Sequence, residues 1–140
     1  MENRSNDIAV ALRLIKKTTT LSKRLDSALG SIHGIGLTEY LVLDTLMSIS
    51  TRALKRIDIA DNLGKSASGI TRVLLPMEKT GLITKDIRER DARVSLVKIT
   101  DSGATIFEDA TVTMQQKCSQ IFENWSEDDI SLVSRLLGKI

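Results

Sequence analysis

The stretch that decides the fold of this chain is IADNLGKSASGITRVL, residues 59–74. The pattern predicts two short helices joined by a tight turn. Ala60 is small enough for the helices to cross closely, and Gly64 suits the left-handed conformation through which the first helix ends. Ile70 and Val73 then lie on the face of the second helix that packs against the first. This spacing is typical of a helix–turn–helix, in which the second helix enters the major groove of duplex DNA.

The second helix, called the recognition helix below, begins with small and polar residues. Ser66 is the expected N-cap, and its short side chain suits a helix end that approaches a phosphate. Ser68, Thr71 and Arg72 point away from the Ile70 face. An ordinary helix pair with a solvated polar face would show the same pattern, so these residues alone leave both interpretations open. The predicted DNA contacts are Lys65, Ser66, Ser68, Thr71 and Arg72.

A charged β-hairpin follows, with strands predicted at Leu82–Arg88 and Val94–Ile99 because both runs are rich in β-branched residues. The loop between them is too charged to be buried. A guanidinium at a hairpin tip can enter the narrow, electronegative minor groove, and Asp91 is placed to hold Arg93. A charged hairpin alone is usually a solvated turn, but directly after a helix–turn–helix it predicts a wing. The predicted contacts in this loop are Arg88, Arg90, Asp91 and Arg93.

Residues 54–103 resemble the winged helix–turn–helix of the MarR family (multiple antibiotic resistance regulators). The resemblance is carried by the recognition helix from Ser66 to Leu75, by MEKTGLI at residues 77–83, by Asp91-Ala92-Arg93, and by ITDSG at residues 99–103. It implies that Arg93, paired with Asp91, enters the minor groove.

The chain departs from the family pattern at two positions. Lys85 stands where arginine is usual, which weakens any bidentate contact there but keeps the charge. Pro76 lies well inside the recognition helix, and we expect it to kink that helix or to end its regular part near Leu75, beyond the turns that contact bases.

The composition is typical of one small domain, residues 1–140, in which 41% hydrophobic residues suffice for a core. No apolar run approaches the roughly 18 residues of a membrane span, and the first ten residues show no signal peptide. We therefore expect a cytoplasmic location and no membrane partner. The single cysteine excludes an intramolecular disulfide.

Charge is unevenly distributed along the chain. The net charge is only +2, yet residues 51–100 hold 11 Lys/Arg against 6 Asp/Glu, whereas residues 101–140 hold 3 against 7. The basic part coincides with the helix–turn–helix and the hairpin, and this distribution orients them toward phosphates.

Both ends of the chain show the periodicity of long amphipathic helices. After a polar, frayed start at Met1–Asn6, apolar residues predict one helix that ends near Leu29 and is closed by Gly30, and a second helix from Thr38. Farther on, a helix of about 25 residues, roughly 37 Å long, is predicted around an apolar stripe. This stripe, called the C-terminal seam, consists of Phe107, Ala110, Met114, Cys118, Ile121 and Trp125. A last helix starts at Ser126, with acidic residues in its first turn.

So long an apolar seam needs another surface to cover it. We predict that the seam and the N-terminal helix pack against a second copy of the chain, giving a two-fold dimer; the alternative is that the seam packs on the chain's own first helix. The predicted organisation has dimerisation helices at residues 8–30 and 104–140 and a winged helix–turn–helix at residues 37–103. Two-fold symmetry requires a pseudo-palindromic target.

Three single residues suggest further roles. Cys118 lies on the apolar seam, where a free cysteine behaves as a small hydrophobe, although some family members sense oxidants through a thiol. His33, in the predicted Ser31–Gly36 connection, and Tyr40 lie near the place where the resemblance implies a ligand cleft. They are candidate contacts for a small aromatic or anionic effector, or else packing residues. One His and one Cys far apart provide no metal site, and no cofactor is expected.

The sequence thus predicts a mostly α winged helix–turn–helix protein with a small β-hairpin wing and terminal dimerisation helices. The sequence contains neither a glycine-rich loop that would bind phosphates nor an arrangement of nucleophile and base, so it does not indicate an enzyme. The resemblance implies a regulator that binds double-stranded DNA sequence-specifically, as a dimeric repressor released by a small-molecule effector. The alternative is a winged-helix protein–protein adaptor without specific DNA binding, which would have little use for three arginines in the wing.

Overall fold

The computed structural model describes residues 2–87 and 95–140, with residues 2–5 and 87 described by their backbone only. Long helices at both ends enclose a short helix–turn–helix and a small sheet, which confirms the predicted mostly α fold. In chain order the elements are α1 (Glu2–His33), α2 (Leu37–Met47), β1 (Ala53–Lys55), α3 (Arg56–Asn62), α4 (Ala67–Lys79), β2 (Ile83–Ile87), β3 (Ser95–Ile99), α5 (Asp101–Ile121) and α6 (Glu127–Leu137).

The sheet is antiparallel, with strand order β1–β3–β2. β2 and β3 form the predicted hairpin, in which Ile83 pairs with Ile99. β1 pairs along the other edge of β3, where Leu54 is the partner of Val97. This strand was not predicted, because three residues are too few to show the alternation that marks a strand.

The core lies where the end of α1, helix α2, the helix–turn–helix and α5 meet. Side chains from each element are fully buried there, among them Leu29, Leu43, Ile59, Ile70 and Ala110. Ala60 is also fully buried, as expected for the small residue at the crossing of α3 and α4. The two helices that carry the candidate site therefore rest on the centre of the domain.

Helix α1 is longer than predicted. It includes Gly30 and runs to His33, and the chain then turns at Gly34, whose φ is +70°. A glycine in helical conformation carries only an entropic penalty, whereas the left-handed position excludes most other residues, so Gly34 rather than Gly30 ends the helix. The frayed start predicted for Met1–Asn6 was also wrong from Glu2 onward, since the helix begins there.

Helix α4 continues through Pro76 to Lys79, so of the two effects predicted for Pro76, a kink or an end of the regular part near Leu75, the second was wrong. Proline removes one intrahelical donor. Two contacts nevertheless stabilise the last turn of the helix. Thr80 N donates a hydrogen bond to Pro76 O at 3.0 Å, and the Met77 side chain is buried in the core, where it is only 1% exposed.

Helix α5 is shorter than predicted, with 21 residues, and Trp125 lies beyond its end. The Trp125 ring packs edge-on against Phe122, with ring centroids 4.9 Å apart. Ser126 follows at once as the N-cap of α6, where its Oγ accepts a hydrogen bond from Asp129 N at 3.1 Å. A capped new helix requires a break before it, and that break places Trp125 in a turn.

Part of the C-terminal seam packs on its own chain, although the Phe107 contact is with α2 and not with the first helix that the alternative interpretation named. Ala110 is fully buried, the Phe107 ring stacks on Tyr40 with centroids 5.1 Å apart, and Met114 packs against the core. Most of the large apolar side chains that this chain leaves exposed lie instead on α1 and α6; they include Ile8, Leu12, Ile15, Ile130 and Leu137.

Candidate nucleic-acid interface

The recognition helix α4 is fixed at its start by the predicted cap. Ser66 Oγ accepts a hydrogen bond from Gly69 N at 3.1 Å and lies 3.3 Å from Ser68 Oγ. On the other side of the helix, Ile70 and Met77 are buried in the core. The sequence therefore specifies both where α4 begins and which of its faces is turned away from solvent.

The turn before α4 also follows the prediction. Gly64 has a φ of +64°, and Lys65 N donates to Ala60 O at 2.9 Å. This closure after α3 sets the two helices of the motif at a fixed angle, so the start of α4 projects at the surface. Lys65 and Ser66 are exposed there.

One face of α4 is turned to solvent. Ser68 and Arg72, one helical turn apart, are both exposed and lie opposite Ile70. Leu75 continues this face and is 51% exposed, an unusual position for a large apolar side chain. Sequence reasoning named Leu75 only as part of the family pattern and did not identify it as a surface residue.

Thr71 lies at the edge of this face and is half-buried. Its hydroxyl donates to Ala67 O at 2.9 Å and accepts a hydrogen bond from Arg56 Nη1 at 3.1 Å. Arg56 is the first residue of α3, and sequence reasoning missed it. No local pattern could have indicated it, because the two residues meet only through the angle between the two helices.

The wing is described only in part. β2 ends at Ile87 and β3 begins at Ser95, so the predicted contacts of the intervening loop lie outside the described residues. Those contacts are Arg88, Arg90, Asp91 and Arg93. Lys85, the departure from the family pattern, is exposed on β2 beside the recognition helix.

The base of the wing is fastened to the start of α5. Thr100 Oγ1 donates to Gly81 O at 2.6 Å, and Thr100 N donates to Leu82 O at 3.1 Å. The same Thr100 hydroxyl caps α5 by accepting from Gly103 N at 3.0 Å. Gly103 lies directly against the Leu82 carbonyl, where an added Cβ would be only 2.1 Å from the oxygen. The end of α4, the wing and α5 therefore form one tightly joined corner.

The two candidate effector contacts both bond to α5. His33 is the last residue of α1 rather than part of a connection, and its Nε2 lies 2.7 Å from Thr113 Oγ1. The Tyr40 hydroxyl lies 2.9 Å from Thr111 Oγ1. His33 also borders a cleft of about 200 Å³ between the end of α1 and the end of α4, together with Glu39, Pro76 and Ile106. Tyr40 is only 8% exposed and does not border this cleft.

The remaining candidate groups add no further site. Cys118 is half-buried on α5. Within the described ranges, no group of His, Cys, Asp and Glu side chains is arranged to hold a metal ion. Nor does any helix there have the length and hydropathy to cross a membrane.

Comparison with known proteins extends over nearly the whole chain. No family model matches it. YwaE, an uncharacterized HTH-type transcriptional regulator from Bacillus subtilis, is 25% identical over 133 residues, which cover 95% of this chain and 77% of that protein. A MarR/EmrR family transcriptional regulator from Acinetobacter sp. ADP1 superposes with a TM-score of 0.84 at 22% identity, covering 95% of this chain and 92% of the other. Sco3205, a MarR family transcriptional regulator from Streptomyces coelicolor crystallised with DNA, superposes with a TM-score of 0.83 at 19% identity, covering 95% of this chain and 84% of the other.

Proposed function

We propose that this chain, which has the winged-helix fold of the MarR family, is a sequence-specific double-stranded DNA-binding transcriptional regulator. The observation that carries the proposal is the face of α4, where the capped start and the exposed Ser68 and Arg72 stand opposite a fully buried core face. Short hydroxyl side chains and one arginine are the groups that bind phosphates and base edges in a major groove. The similarity to Sco3205, a regulator crystallised with DNA, supports the same use of this face.

The regulator acts as a homodimer. Helix α6 has no buried residue within the chain, and the exposed apolar residues of α1 include Ile8 at 61% and Ile15 at 62%. Apolar surface of this extent on two helices is typical of an interface, and a second copy carries the same two faces. Two recognition helices related by a two-fold axis then fit a pseudo-palindromic operator, and occupation of a promoter represses it. A chromosomal target implies a cytoplasmic location.

A small molecule releases the regulator from DNA. The cleft beside His33 lies between the end of α1 and the end of α4, so a ligand there contacts both the dimer helices and the helix that binds DNA. At about 200 Å³ it is smaller than most drug-sized pockets, so it fits a small effector, and the candidates are small aromatic or anionic compounds. Preferential binding of the effector to one arrangement of the two parts would lower operator affinity.

The DNA-binding proposal is tested by selecting duplexes from a randomised pool and measuring the affinity of the enriched sequence across a salt series. We expect a two-fold-related sequence and an affinity that falls steeply with salt, because phosphate contacts release counterions. No enrichment, with a weak and salt-independent response to bulk DNA, would instead favour the protein–protein adaptor. Light scattering on the same preparation measures the oligomeric state.

The effector proposal is tested by thermal shift with a panel of small aromatic carboxylates. A compound that raises the melting temperature of the wild type should lose most of that effect with His33→Ala, and it should weaken operator binding of the wild type only. The Tyr40→Phe variant is the matched control, because Tyr40 does not border the cleft.

A further inference from the structure

We infer that Arg56 binds a phosphate of the DNA backbone, and that Thr71 positions this arginine instead of reading a base with its hydroxyl. The inference rests on the proposed function, since it requires that α4 lie in a major groove. It adds a contact from α3, a helix to which the sequence assigned no DNA-binding residue.

The first support is the hydrogen bonding of Thr71. Its hydroxyl has one proton, and that proton is directed at Ala67 O, 2.9 Å away. Arg56 Nη1 donates to the same oxygen at 3.1 Å. A hydroxyl donates once, so Thr71 cannot also donate to a base acceptor without giving up a bond within the helix. Its hydroxyl is already committed to the protein.

The second support is the guanidinium itself. Arg56 is exposed, and among the described residues its side chain donates one hydrogen bond, to Thr71. That bond uses a single N–H of a planar group with five, and it holds the group against the side of the recognition helix. An arginine fixed in this way loses less conformational entropy when it binds a phosphate, which is the usual partner of such a group.

The third support is the surroundings of the pair. Arg56 and Thr71 lie at a groove of about 60 Å³ between α4 and the sheet, which is also lined by Lys85, Thr84 and Ser95. Two cations and three hydroxyls face one carboxylate there, that of Glu78, so the groove is net positive. The groove separates the recognition helix from the wing. A DNA strand between a major-groove helix and a minor-groove wing must pass this position, and the strand presents its phosphates there.

The test compares Arg56→Ala with Arg52→Ala, which removes an exposed arginine from the other end of β1. We expect Arg56→Ala to weaken operator binding about tenfold or more, as for a lost charge-assisted hydrogen bond. The loss should be uniform across single-base operator variants. The slope of log affinity against log salt should become shallower by about 0.9, the value for one phosphate. Arg52→Ala should match the wild type, and circular dichroism checks that both variants are folded.

Substitutions of Thr71 separate positioning from base contact. Thr71→Val keeps the branched shape but removes the acceptor, so it should weaken binding several-fold without changing base preference, and it should have no added effect in an Arg56→Ala background. Thr71→Ser keeps the hydroxyl and should bind like the wild type.

Two results would overturn the inference while leaving the proposed function intact. The first is that the wild type binds its operator, but Arg56→Ala is indistinguishable from Arg52→Ala in affinity and salt slope. The other is a Thr71→Val variant whose preference changes at one operator position, which would make Thr71 a base contact. A wild type that enriches no duplex at all refutes the proposed function itself.

Discussion

Gly103 offers the sharpest test of the corner between the wing and α5. It is the third residue of a helix, where glycine normally costs about 1 kcal/mol relative to alanine, so propensity alone predicts that Gly103→Ala stabilises the fold. The structure predicts the opposite sign. An added Cβ would lie 2.1 Å from the Leu82 carbonyl oxygen and 2.9 Å from Ile99 Cγ1, whereas ordinary contact begins near 3.4 Å.

The size of the expected destabilisation by Gly103→Ala follows from the atoms that the added Cβ must displace. Leu82 O is a backbone atom, and it accepts a hydrogen bond from the Thr100 amide at 3.1 Å. Displacing the oxygen weakens this bond, at about 1 kcal/mol, and overpacking adds about 1–3 kcal/mol. After subtracting the gain in helix propensity, we expect Gly103→Ala to lower the free energy of unfolding by about 1–3 kcal/mol.

The matched control is Gly30→Ala. Gly30 is also helical, but apart from its chain neighbours and the backbone of its own helix no atom lies within 4 Å of its added Cβ, so this substitution should stabilise the fold by about 0.5–1 kcal/mol. Both variants are compared with the wild type by urea unfolding followed by circular dichroism, at one protein concentration because the proposed dimer would make stability depend on concentration. A Gly103→Ala variant as stable as the wild type would show that the close approach to Leu82 is not a constraint.

Three further substitutions test the proposed DNA-binding surface and the proposed dimer. Arg72→Ala should weaken operator binding by about 1–3 kcal/mol; a change of preference at one operator position indicates a base contact, a uniform loss indicates a phosphate contact, and no change removes Arg72 from the interface. Arg93→Ala should lower affinity by a similar amount of about 1–3 kcal/mol and leave the unfolding free energy within about 0.5 kcal/mol, so unchanged affinity in the folded variant would exclude the wing contact. Ile15→Glu, at a side chain 62% exposed in the chain, should give a folded monomer by light scattering with weakened operator binding, and a dimer of wild-type mass would contradict the proposed interface.

The helix–turn–helix could be predicted closely because its determinants are local. Ser66 and Gly69 form the cap within one turn, and Gly64 is needed at a positive φ immediately after α3. Each of these signals depends on residues fewer than six positions apart, and helix periodicity supplies the remaining information. The same local rules placed the end of α1 at Gly30, which was wrong, because the glycine that adopts the left-handed conformation is Gly34.

The features that escaped prediction depend on contacts between distant residues. His33 lies 80 positions from Thr113, and the bond between them belongs to the packing of α1 on α5. Arg56 meets Thr71 across the angle between two helices, and β1 exists only because β3 lies beside it. Pro76 lies inside α4 next to the buried Met77, and tertiary packing commonly overrides local helix propensity.

The joined corner at Thr100 and Gly103 has a mechanical consequence. Because the base of the wing is fixed to the first turn of α5, we expect the helix and the proposed DNA-binding face to rotate as one body, with α5 as a lever arm. Its 21 residues span roughly 31 Å at the usual rise per residue. A tilt of about 5° over that length displaces the far end by roughly 3 Å. That distance is close to the spacing of about 3.4 Å between neighbouring phosphates along the axis of one strand, so in the proposed dimer a small rotation where the two copies meet would be enough to move a recognition helix out of register with its site.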